Sequence, residues 1–288
     1  MLGAMDNGAE PAPAEGAMRG AMRAAPFALR LGRAAGQAAR RAARGIIDLA
    51  LPPNCMACRA AVSEPGCLCA QCWGRLNLIE RPYCDRLGIP LPYDCEPGSG
   101  GPRLSSAALD APPAYHRARA AAQFGEVARD LVHALKYADR LDVATPMARM
   151  MVRAGADLLG DAQALVPVPL HNLRLWRRRF NQSAALALAV RRASGVRVET
   201  SWLLRARATP PQVGLDRAAR AANVAGAFEV PDMARGELAG RRVVLVDDVL
   251  TTGATLDACA KALSRAGAGR VDVLVFARVV DGQPSPIS

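Results

Sequence analysis

Apolar side chains recur along this chain with two different spacings. Over residues 124–137, Val127, Leu131 and Leu135 return every fourth position among polar neighbours, which predicts an amphipathic helix. Residues 165–170 are a short apolar run broken by Pro167 and Pro169 and predict a buried strand; residues 181–193, rich in Ala and Leu, predict a helix. The uninterrupted run Val243-Val244-Leu245-Val246 is of the kind found in central parallel strands, which are covered on both faces. Helical spacing follows over residues 253–266, and Val271, Val273, Leu274, Val275 and Phe276 predict another strand. Alternating strands and helices predict an α/β domain with a parallel sheet over residues 114–281, followed by a tail at 282–288.

The first hundred residues lack this rhythm. Residues 1–44 hold 15 alanines and seven arginines with almost no large side chains, and read as a disordered or weakly helical extension without assigned chemistry. Ile46, Ile47, Leu49 and Leu51 form a brief apolar segment that stops at Pro52-Pro53. Residues 45–100 contain seven cysteines among turn-forming residues and too few apolar side chains for a core, so this small unit needs a staple. Gly and Pro over residues 101–113, continuing from Pro97-Gly98-Ser99-Gly100, predict a linker.

Composition narrows the chemistry. No run of 18 or more apolar residues occurs, so no membrane insertion is expected. The N-terminal stretch lacks the ordered parts of a secretory signal, which predicts a cytoplasmic address, where closely spaced cysteines bind metal more readily than they pair. Formal charge is +11, and most of the excess falls beyond residue 110, pointing to phosphate groups of a small substrate or of nucleic acid. The same excess, carried by 35 arginines and only two lysines, also fits the bias of a GC-rich genome.

Cys55-x2-Cys58 and Cys69-x2-Cys72 place two thiolate pairs on two tight turns, the spacing of a closed tetrahedral structural zinc site. Cys67 could replace Cys69 only by spoiling the spacing. Cys84 and Cys95 resemble the start of a second pair of turns, but Leu87 and Gly98 stand where the other two thiols belong. No second four-cysteine site can form from them, and only an acidic group such as Asp85 or Asp94 could fill in. Cys259, on the helix after the last motif, reads as a core thiol.

The most informative stretch runs from Val243 to Thr255. A buried strand ends in Asp247 and Asp248, and a small-residue turn, Thr251-Thr252-Gly253-Ala254-Thr255, opens a helix. Free N–H groups at a helix start, hydroxyls and a glycine permitting close backbone approach suit a phosphate. Paired carboxylates would repel that phosphate, so they address ribose hydroxyls or a magnesium ion instead. A ribose 5-phosphate bearing a metal-bound diphosphate combines these needs. The motif is similar to the phosphoribosyl-diphosphate (PRPP) signature of type I phosphoribosyltransferases.

With cysteine turns and phosphate loop in this order, residues 45–280 resemble the ComF family of competence proteins. Further landmarks are Leu135-Lys136-Tyr137, Val166-Pro167-Val168-Pro169-Leu170-His171, Phe180-Asn181-Gln182 and Asn223-Val224. The resemblance implies a zinc ribbon followed by a type I phosphoribosyltransferase fold, and a role linked to DNA uptake in natural transformation with other competence proteins as partners. It implies that PRPP, with magnesium, is held by Asp247, Asp248 and Thr251 to Thr255, that Val168 and Pro169 receive diphosphate, and that Arg205, Arg207, Arg217 and Arg220 belong to a lid. Lys136 and Tyr137 are site candidates on the same basis. Arg179 stands where the family usually has glycine.

Two further functional readings stay open. A non-catalytic module could handle single-stranded DNA, with Trp176 among Arg174, Arg177, Arg178 and Arg179 as the local candidate; aromatic residues are only 4% of the chain, which limits base stacking. A ligand-sensing regulator could use the same fold. Catalysis itself, a displacement of diphosphate from the ribose C1, has no fixed general base in the sequence.

Overall fold

The computed structural model describes residues 53–92, 101–137, 140–170, 180–209 and 217–280. The N-terminal extension, Cys95, Asp94, the Trp176 cluster and Pro210 to Asp216 lie outside the described residues. Residues 54–288 form one compact unit, within which the cysteine turns and the α/β domain are both found.

Four parallel strands make the central sheet: β1 (Ala118–Gln123), β2 (Ala164–Pro167), β5 (Arg242–Leu250) and β6 (Arg270–Arg278), in the spatial order β1-β6-β5-β2. A small antiparallel pair, β3 (Leu204–Arg205) with β4 (Phe228–Glu229), stands beside it. The helices are α1 (Ala70–Arg75), α2 (Ser106–Asp110), α3 (Glu126–Tyr137), α4 (Ala144–Ala154), α5 (Ala156–Leu159), α6 (Gln182–Ser194), α7 (Arg217–Val224), α8 (Asp232–Leu238) and α9 (Ala254–Arg265). Asn181 caps α6 by accepting from the N–H groups of Ser183 and Ala184 at 3.0 and 3.4 Å.

Alternation along the strands divides the core. Val244, Val246, Leu274 and Phe276 face a cluster with Leu131, Leu135, Met147, Met151 and Leu186 of α3, α4 and α6. Val243, Leu245, Val273 and Val275 face the other cluster, which takes in Leu256, Cys259 and Leu263 of α9. The uninterrupted apolar reading of the strands follows from burial on both faces. Cys259 is fully buried and its thiol is pushed well above the ordinary value, first by burial and then by the Asp247 charge.

Two features depart from expectation. β5, expected to end at Asp247 and Asp248, continues to Leu250, still in register with Ala277 and Arg278 of β6, so both carboxylates lie inside the strand and not at its end. Residues 101–113, expected as a linker, carry α2 and are tied to the preceding cysteine turn: Asp85 N donates to Arg103 O at 2.7 Å and Arg103 N donates to Asp85 Oδ2 at 3.0 Å.

The cysteine-rich segment continues the sheet edge. Ile79 N donates to Ala121 O at 3.0 Å, and Gln123 N donates to Asn77 O at 2.7 Å. β1 is therefore paired on both sides, and its small side chains let the segment approach closely.

Candidate phosphate loop and metal centre

The strand β5 sets Asp247 and Asp248 side by side in sequence, and the pleat sends their side chains apart. Asp247 Oδ1 accepts from Ser183 Oγ at 2.7 Å and from the Asp248 N–H at 2.9 Å. Asp248 forms an ion pair with Lys136 at the end of α3, Nζ to Oδ2 2.8 Å. Burial, reinforced by the neighbouring Asp248 charge, raises Asp247 to about 7 despite the opposing pull of Ser183, the Asp248 N–H and Lys136. The two carboxylates are therefore not equivalent: one is held by a hydroxyl and poised to carry a proton, the other is matched by an ammonium.

Beyond Leu250 the chain turns through Thr251 and Thr252 to Gly253, which has φ +84° and heads α9 without any side-chain cap. Glycine supplies this left-handed conformation at little cost. A Cβ at this position would meet nothing in the protein nearer than 3.6 Å, so the requirement is conformational and not a matter of room inside the fold. A helix start without a side-chain cap carries partial positive charge that favours an anion. Thr252 Oγ1 is buried without a hydrogen-bonding partner, whereas native structures usually satisfy such a group. Thr251, Thr252, Gly253, Ala254 and Thr255 are all partly exposed, as a ligand-facing loop must be. Beneath the loop, buried Tyr115 hydrogen-bonds Arg278 at the end of β6; burial is the main cause raising its hydroxyl's pKa.

The other expected site residues divide. Val168 and Pro169 lie just past β2, beside β5, but Val168 is buried and both its backbone groups are engaged: N–H to Val246 O and carbonyl from Asn181 Nδ2, each 3.0 Å. Arg205, on β3, hydrogen-bonds Thr209 and packs over the Phe228 ring at 5.3 Å. Arg207 donates to the carbonyls of Asn223 and Ala225 at 3.1 and 2.8 Å, capping the C-terminus of α7. Arg217 and Arg220 lie on α7. Ser183 was not legible as a partner of Asp247, since nothing local links positions so distant in sequence.

The cysteine turns converge as their spacing predicts. One sulfur each from Cys55, Cys58, Cys69 and Cys72 lies within 4.8 Å of all the others, and Cys58 and Cys69 are 3.6 Å apart. Four sulfurs about 2.3 Å from one ion would be about 3.8 Å from each other, so the cluster fits a tetrahedral zinc. Cys69 N donates to Cys55 Sγ at 3.3 Å, orienting that sulfur inward. Burial acts to raise Cys55, but N–H groups of Cys69, Cys58 and Ala57 outweigh it and bring the thiol to about 6; burial and the neighbouring sulfurs push Cys72 up to about 12. Sulfurs packed this closely can all be thiolates together only around a cation.

A parallel sheet with a phosphate-type loop after a central strand, joined to a cysteine ribbon, defines a phosphoribosyltransferase-fold protein with a zinc ribbon. Two families match the chain in that order: the Double zinc ribbon domain over residues 46–102 and the Phosphoribosyl transferase domain over residues 184–286. The chain is 30% identical over 243 residues to the DNA utilization protein YhgH of Escherichia coli O6:H1, covering 81% of this chain and 100% of the relative. It is 28% identical to Competence protein F of Haemophilus influenzae, covering 78% of this chain and 96% of that protein. The chain thus belongs to the ComF family of competence proteins. Among solved structures, the allosteric regulatory enzyme of purine biosynthesis aligns at 23% identity and a TM-score of 0.33, over 50% of this chain and 29% of that one. Among the described residues no helix is long and apolar enough to cross a membrane.

Proposed function

We propose that the α/β domain binds PRPP or a related ribose phosphate at the loop from Asp247 to Thr255. The observation that carries this reading is the loop's start of α9, where an uncapped helix terminus stands beside the buried, unpartnered hydroxyl of Thr252. An anion placed there gains about 0.3 to 2 kcal/mol from the helix terminus and further charge-assisted hydrogen bonds. Asp247, deprotonated, would accept from ribose hydroxyls; Asp248 would exchange its partner Lys136 for a magnesium ion accompanying the diphosphate. If transfer follows, the C1–oxygen bond breaks, diphosphate departs with the bonding pair, and an acceptor closes the new bond at C1. Arg205 and Arg220 would then steady the departing charge. The names of the relatives, DNA utilization protein YhgH and Competence protein F, support a role for the chain in DNA use. Calorimetric titration with PRPP, with and without magnesium, tests the reading: saturable binding strengthened by magnesium is expected, and no heat at millimolar ligand overturns it.

A second reading, contact with single-stranded DNA, is favoured by one specific observation. A groove of 430 Å³ between the ribbon and α4 is lined by Trp73, Glu80, Arg81, Tyr83 and Arg153, with Arg153 paired to Glu80 at 2.9 Å, and Trp73 is 52% exposed. An exposed indole beside guanidinium groups can stack a base, typically about 1–3 kcal/mol each. Trp73→Ala should then weaken oligonucleotide binding roughly tenfold while the salt slope, set by phosphate contacts, stays unchanged.

A further inference from the structure

The matching of a double ribbon raises the question of a second metal, and the second ribbon is present in the backbone. Cys55 N donates to Ala60 O at 2.7 Å and Arg59 N to Cys55 O at 3.0 Å; Cys84 N donates to Ile89 O at 2.8 Å and Gly88 N to Cys84 O at 2.7 Å. The flanking bridges repeat as well, Asn54 with Ala61 and Tyr83 with Pro90. Arg59 and Gly88 hold the same left-handed position, φ 64° and 66°. The returning halves also match. Met56 N donates to Cys67 O at 3.2 Å as Asp85 N donates to Arg103 O at 2.7 Å. Cys69 N donates to Cys55 Sγ and Ser105 N to Cys84 Sγ, both at 3.3 Å. Cys69 caps α1 by accepting from Cys72 N, and Ser105 caps α2 by accepting from Ala108 N.

These equivalences fix the four ligand positions of the second ribbon as Cys84, Leu87, Ser105 and Ala108. The spacing of Cys84 and Cys95 misleads, because the second turn is built by residues 105–108 within the expected linker. One sulfur remains of four. Cys84 Sγ accepts from Leu87 N at 3.4 Å and Ser105 N at 3.3 Å, as Cys55 does from Cys58 and Cys69, and the difference is Ser105 Oγ, 3.4 Å away where the first ribbon has the Cys69 thiol. Asp85 offers no substitute ligand, since its carboxylate is held by Arg119 Nη2 at 3.0 Å and Arg103 N at 3.0 Å.

We infer that the second ribbon is a metal-free copy in which Leu87, the Ser105 hydroxyl and Ala108 stand where three thiols would, and that it serves as the joint to β1. Arg119, only 3% exposed on β1, donates to the Asp85 carbonyl at 2.8 Å and stacks on Tyr83 at 4.6 Å. Gly88 abuts the same strand so closely that a Cβ would lie 2.7 Å from Ala118 O. The knuckle that in the first ribbon carries two sulfurs of the four-cysteine cluster is here turned against a strand.

Elemental analysis of the full chain tests this. Wild type should hold one zinc, and Cys84→Ser should hold one as well. The variant Leu87→Cys, Ser105→Cys, Ala108→Cys should hold two, and its cobalt-substituted form should show twice the thiolate-to-cobalt absorption per chain. Two zincs in wild type, or loss of an ion in Cys84→Ser, would overturn the inference. So would a folded triple variant that still holds one ion. If the triple variant does not fold, the wild-type and Cys84→Ser counts decide.

Discussion

The ammonium of Lys136 lies 2.8 Å from Asp248 Oδ2, joining the end of α3 to β5 at the mouth of the candidate site. Asp248 is 6% exposed, so removing the ammonium leaves a buried carboxylate without its ion-pair partner. Lys136→Met should destabilise the fold by about 2–4 kcal/mol, slightly below a fully buried pair because the lysine reaches solvent. Adding Asp248→Asn should recover much of the loss. Denaturant midpoints for the four members of this cycle provide the measurement; equal losses in Lys136→Met and the double variant would exclude coupling.

Asp247 adds a pH dependence whose sign is fixed. Its carboxyl, mainly through burial, titrates near 7 in the folded chain against an ordinary 3.8. Between these values the native state holds a proton the unfolded chain has released, so this contribution is full below pH about 4 and is lost as pH rises through about 7. The slope from one such group is at most about 1.4 kcal/mol per pH unit. Asp247→Asn should flatten the fall in stability over that window, and magnesium-dependent ligand binding by wild type should strengthen from pH 6 to pH 8.

The first ribbon should depend wholly on its metal. Structural zinc contributes roughly 10–16 kcal/mol in small metal domains. Cys72→Ser, at a buried position of the cluster, should therefore abolish zinc retention and expose the α1 amides to rapid hydrogen exchange. Retention of zinc by that variant would mean that another thiol, such as Cys67, completes the site.

Much of this organisation was legible in the sequence, for identifiable reasons. Four cysteines at two-residue spacing and a thirteen-residue loop carry their geometry locally, and strands buried on both faces announce themselves as apolar runs. β1 did not, because Ala118 to Ala122 is alanine-rich and alanine has low strand propensity; its pairing with β6 and the ribbon edge decides its conformation. α4 was equally silent. The second ribbon escaped because Ser105 and Ala108 keep the backbone of a knuckle without its sulfurs. The partners of Asp247 and Asp248 come from α6 and α3, and long-range pairs leave no trace in spacing.

The final expectation separates the parts of the phosphate loop. Gly253 holds φ +84°, and an alanine there costs about 1–2 kcal/mol of backbone strain. Because its Cβ would meet only ordinary contacts at 3.6 Å and beyond, Gly253→Ala should fold, with a lower melting temperature and with the first-turn N–H groups of α9 misdirected. Affinity for both PRPP and ribose 5-phosphate should be lost together. Thr252→Val removes one buried, unpartnered hydroxyl and leaves the backbone unchanged. It should keep or improve stability while weakening both ligands about tenfold, the worth of one hydrogen bond to a charged group. Asp247→Asn with Asp248→Asn should instead spare part of the affinity for ribose 5-phosphate and remove the magnesium dependence of PRPP binding, since an amide attracts the ion poorly. Titrations of the two ligands against these three folded variants decide among the contributions. Unchanged affinity in Gly253→Ala would place the phosphate elsewhere.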